Sequence, residues 1–127
     1  PGGRLVVVTP GRPYLAPLHD AFYAAARVEA PDLTPPRPWR RTDTAERLAA
    51  VFDAARIPAA LSDRTATLPL REPADWWRVV RATGLSRTAR LLGPEAAARV
   101  AAANLRAIDE DGIDALTTQF LFAVAWK

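Results

Sequence analysis

The sequence has no cysteine and no methionine, and it has one histidine, His19, and one lysine, Lys127. Each gap removes a class of chemistry. Without cysteine there is no disulfide, no thiolate nucleophile and no cysteine-bound zinc. With one histidine there is no multi-histidine metal centre, and a Ser/His/Asp triad cannot be argued from it. No apolar run approaches the ~20 residues that a membrane helix needs. There is no phosphate-binding glycine loop and no paired-carboxylate site. "DEDG" at 109–112 lacks the ligand spacing of a calcium loop and falls where a helix should stop. No secretory leader pattern is visible, though a truncated N-terminus could not show one; the cytoplasm is the default expectation.

What is present is a globular composition. Half of the 127 residues are apolar, enough for one domain with a real core. Sixteen of the seventeen basic residues are arginine, yet the net charge is only +3 because acids are interspersed. Pairs such as Arg47 with Glu46 and Arg99 with Glu95 describe ordinary helix surface. "RPWRR" (Arg37, Arg40, Arg41) is the one locally basic stretch, and one aromatic among three arginines is a poor case for nucleic acid.

The pattern predicts strand, helices, strand, helices, strand. "RLVVVT" at 4–9 is a short β-branched run, expected to be buried on both faces as in a parallel sheet. A helix is expected over 17–29, with Leu18, Phe22, Ala25 and Ala26 on one face. Residues 30–42 carry four prolines and form an extended connector. Asp43 and Glu46 have capping-box spacing ahead of Leu48, Val51, Phe52 and Ala55. Residues 60–68 form a second strand. Pro73 opens a short helix that Gly84 stops, Ser86 caps another ending at Gly93, and Pro94 opens a longer one that Gly112 stops. In the last, Asn104 is a polar residue near an apolar face, suited to bonding across to another element. "TTQFLFAVAW" is apolar on both faces and should be a central, covered strand. The whole chain, 1–127, is taken as a single domain, with a helical insertion at 72–112. Three strands account for only part of the sheet expected around the first strand.

These segments, in this order, resemble the C-terminal half of class I S-adenosylmethionine-dependent methyltransferases of the bacterial small-molecule type. "PGGRLVVVT" is similar to the Pro-Gly-Gly turn leading into that family's fifth strand. "LAAVFDAARI" resembles its next helix, although "ARIP" departs from the family's usual Ala-Gly-Phe or Ala-Gly-Leu. "FAVAWK" resembles its closing strand, and "ADWWRVVRATG…LGPEAAARV" its helical insertion. The resemblance implies an α/β fold, a partial Rossmann-like sheet of the last three strands with the final one antiparallel. It also makes Pro-Gly-Gly an interior junction. The family holds its cofactor mainly with the other half. S-adenosylmethionine is therefore expected in a full-length parent and not on this chain alone, since Gly2 and Gly3 precede a strand where a cofactor loop follows one.

Methyl transfer asks the protein for alignment and, for O or N acceptors, for help with a proton. Histidine is the side-chain type whose unperturbed pKa lies near neutrality, so His19 is either a general base or acceptor-orienting group, or a surface histidine on a helix's first turns. Tyr14, Phe22 and Tyr23 either wall an acceptor pocket or serve as core and half-exposed surface. Trp76 and Trp77 point about 100° apart on a helix, so one packs on the sheet while the other, Trp77, caps a pocket or meets a partner chain. Arg81, one turn on, either binds an acidic acceptor or is solvated. The expected partner of the parent is a small-molecule acceptor. The alternative is a non-enzymatic α/β interaction or dimerisation module, and either reading allows a homodimer or strand swap through residues 4–9.

Overall fold

The computed structural model describes residues 2–34 and 38–126. The parts of the sequence readings that fall on Pro1, Pro35, Pro36, Arg37 and Lys127 lie outside them. The elements are β1 (Arg4–Pro10), α1 (Leu18–Glu29), a 3-10 turn (Pro38–Arg41), α2 (Ala45–Ala54), β2 (Ala59–Pro69), α3 (Asp75–Ala82), α4 (Leu85–Asp111) and β3 (Ala115–Trp126). The fold is α/β. The chain divides into two compact units. One comprises Pro1–Tyr14, Arg37–Thr67 and Thr117–Lys127, the other Leu15–Pro36 and Leu68–Leu116.

The first unit holds the sheet, in the order β1-β3-β2. β3 is central, as its two apolar faces predict, and runs antiparallel to β1 with Arg4 opposite Trp126 and Val7 opposite Ala123. Side chains alternate across a strand. On one face Leu121, Ala123 and Ala125 meet Leu48 and Phe52 of α2, with Val7 and Ala59 against them. The two alanines leave room for the helix to lie close. Burying Leu48 and Phe52 stabilises the unit by about 1.5–3 kcal/mol each.

The other face departs from expectation. Val6 and Val8 are 57% and 54% exposed, and Trp126 is 54% exposed. The expected strand buried on both sides is an edge strand with one neighbour, antiparallel to it, and α2 covers one face. β3 is correspondingly buried on its Leu121 face, while Phe120, Phe122 and Val124 are half-buried. β2 is exposed along nearly its whole length, consistent with its polar, Thr-rich sequence.

α2 starts differently from the predicted capping box. Thr44 is the cap: its backbone is extended and its hydroxyl accepts the Arg47 amide hydrogen. Asp43 is released for another role. Of the expected face, Leu48 and Phe52 are buried, whereas Val51 and Ala55 are exposed. The connector also contains a 3-10 turn rather than being extended throughout.

The second unit is helical. α4 packs against α1 and α3. The two helices expected on either side of Gly93 are present within α4, and Gly93 breaks the helical backbone between them. Gly93 has φ 79° and ψ 168°, a backbone region that in effect only glycine occupies, and Pro94 cannot donate into the preceding turn. The cap is Gly84, not Ser86, and Gly112 ends the helix at φ 61° with its amide on the Ile108 carbonyl. Trp76 is fully buried and its neighbour Trp77 half-buried, as a 100° offset dictates. Asn104, buried on α4, accepts the indole hydrogen of Trp76 at 2.8 Å. Arg99 reaches Glu29 at 2.7 Å, tying α4 to α1. No helix is long and apolar enough to cross a membrane, among the described residues.

Candidate functional site

Five of the six residues singled out in the sequence fall in the helical unit. α1 turns Leu18, Phe22 and Ala26 inward at helical spacing, and this carries His19 and Tyr23 inside with them. His19 is 9% exposed, which does not fit the surface alternative. Its Nδ1 lies 3.1 Å from Oδ1 of the exposed Asp20, and its ring meets Tyr23 edge-on at 5.0 Å. Tyr23 in turn meets Phe22 edge-on at 5.3 Å. Phe22 and Tyr23 are core residues, 0% and 2% exposed. Phe22 supports the ring of Trp77, 6.3 Å away. Tyr14 belongs to the sheet unit and is half-buried there.

Trp77 and Arg81 do come together. Four residues apart on α3, they share one helix face, and that face opens on a cleft of about 550 Å³ against α4. α4 contributes Ser86, Ala89, Arg90, Gly93 and Ala97 at the spacing of a single stripe, with Pro94 at the kink. The volume is in the range of small-molecule sites. Sequence reasoning missed Arg90 and Ser86. The signal was present in the spacing Ser86, Arg90, Gly93, Ala97, but reading Ser86 as a cap took it off the helix face.

The sheet unit has a different polar cluster. Asp43 is 2% exposed and accepts hydrogen bonds from Arg12 Nε and Arg47 Nη1, the second at 2.7 Å. Burial pulls its pKa up, but the two guanidinium groups outweigh burial and hold it below the ordinary 3.8. Arg47 also donates to the Arg40 carbonyl at 2.8 Å, and the hydroxyls of Thr9 and Thr42 meet at 3.1 Å. A cleft of about 350 Å³ beside Asp43 is lined by Arg12, Ser62, Asp63 and Gln119 among others. Here charges of both signs are already matched, and Gln119 Nε2 donates to Asp63 at 3.0 Å. The cluster joins the end of β1 to the start of α2 and has the character of a structural clasp.

Among the described residues, no glycine that directly follows a strand offers open space for an S-adenosylmethionine cradle. A cradle needs a glycine after a strand whose missing Cβ leaves space for ligand. Gly11 follows β1, but its Cβ space is taken by the Gln119 side chain, whose Oε1 would lie 2.6 Å away. Gly2 and Gly3 come before the strand. No group of three or more metal-ligating side chains occurs among the described residues.

No protein-family model matches the chain. No curated protein matches it either.

Proposed function

We propose that the chain is the C-terminal, acceptor-side portion of a class I S-adenosylmethionine-dependent methyltransferase acting on a small molecule. The observation that carries this reading is the sheet. The last strand is central and antiparallel to the first, the arrangement expected of a partial Rossmann-like sheet whose final strand is antiparallel. The exposed apolar β1 edge supports it as well, because Leu5, Val6 and Val8 have the composition of a strand with a second neighbour. The two helices of the 72–112 segment, α3 and α4, supply a cleft suited to an acceptor. The cofactor belongs to the other half of the parent, and no catalytic step is assigned to this chain. The reading is tested on the coding sequence upstream of Pro1. It requires a strand followed by a glycine-rich loop, with an acidic residue ~20 positions on. A stop codon just upstream, with a start codon adjacent to Pro1, overturns it.

The second reading is a free-standing interaction module in the cytoplasm, favoured by the same edge. An open apolar strand is a template for strand addition, by a second copy or by another chain.

A further inference from the structure

We propose that the α3–α4 cleft is an anion site for a flat aromatic acid, with Trp77 as its apolar platform and Arg81 and Arg90 as its anion clamp. The inference rests on the methyltransferase reading only in calling that ligand the acceptor.

Charge is the first argument. The cleft lining contains two arginines and no acid: Trp77, Arg81, Ser86, Ala89, Arg90, Gly93, Pro94 and Ala97. Two other arginines of this unit are ion-paired. Arg78 takes both Glu72 and Asp75, and Arg99 takes Glu29. Among the described residues, Arg81 and Arg90 have no ion-pair partner. Two like charges sharing one concavity repel each other, and an anion between them relieves that repulsion.

Shape is the second. The remaining lining is small, so the room lies beside the tryptophan. A half-buried indole held by Phe22 offers fixed apolar area at little entropic cost. Guanidinium groups bind carboxylates and phosphates in bidentate fashion and stack on aromatic rings. Ser86, half-buried one turn before Arg90, adds a hydroxyl. The set selects for a ring and an anion together, and neither a bare anion nor a neutral ring uses all of it.

Titration calorimetry of the 127-residue chain is the test, with 2-naphthoate, its neutral isostere 2-naphthamide, 2-naphthyl phosphate and inorganic phosphate as probes. The expected result is saturable naphthoate binding, with the amide and inorganic phosphate each weaker by at least about tenfold. Naphthyl phosphate tighter than naphthoate assigns the anion as a phosphate ester, and the reverse order assigns it as a carboxylate. The Arg81→Ala/Arg90→Ala variant changes exposed residues and should melt as the parent does while losing the preference for acid over amide. Ser86→Asp, which puts a carboxylate beside Arg90, should lose it as well. Equal binding of acid and amide, or an undiminished preference in these variants, overturns the proposal. Because no probe contains a methyl donor, failure here leaves the methyltransferase reading standing, and failure of that reading leaves the cleft standing.

Discussion

The indole nitrogen of Trp76 donates to the side-chain oxygen of Asn104 at 2.8 Å, with both residues essentially excluded from water. This bond fixes α3 on α4, and the cleft lined by Trp77 and Arg81 lies one residue around the helix from it. Replacing Asn104 by Leu leaves a buried N–H with no acceptor, which costs about 1–3 kcal/mol. Urea unfolding should show that loss. A loss of a few tenths would mean that the bond contributes nothing net.

Asp43 makes the sheet unit acid-sensitive. Its folded pKa lies below the ordinary 3.8. The stability it contributes is therefore fully present above pH 3.8 and is lost as pH falls through the folded value. Asp75 shifts the same way, chiefly through the Arg71 backbone hydrogen bond, and so does Glu46, chiefly through its own amide. Asp43→Asn should cost about 1–2 kcal/mol near neutrality, toward the low end for a charge-assisted pair because both arginines are half open to water. The cost should shrink as pH drops below 3.8. A cost independent of pH contradicts the ion-pair account.

The β1 edge predicts self-association. Val6 and Val8 lie on the uncovered face opposite Val124 and Phe122. Light scattering of the native chain should give a mass that rises with concentration. Val6→Lys with Val8→Lys, at positions already exposed, should restore the monomer without unfolding it. A native chain that stays monomeric over the whole range contradicts both functional readings of this edge.

Much of this was legible in the sequence, and the failures share a cause. Helical spacing found Leu48 and Phe52, the inward turn of Phe22, and the offset of Trp76 from Trp77, because periodicity reports which way neighbouring side chains point. It also marked Asn104 as a residue needing a partner. Composition alone could not say how many neighbours a strand has, so "VVV" read as buried when α2 covers one face and β3 one edge. Local capping rules misassigned Asp43 and Ser86. An aspartate one residue before Thr44 satisfies the same spacing rule, and only the fold brings Arg12, 31 positions away, to claim it. Gly93 and Pro94 correctly marked a break, because a backbone of φ 79° and ψ 168° cannot continue a helix. The cleft was half legible: Trp77 and Arg81 share a helix, whereas Arg90 joins them through tertiary structure.

The central claim is that this chain is the acceptor side of a methyltransferase whose cofactor is held by the other half. Calorimetry with S-adenosylmethionine on the full-length gene product tests it most directly. The account predicts saturable binding there and none to residues 1–127 alone. No binding by the full-length product would contradict it and leave the interaction module.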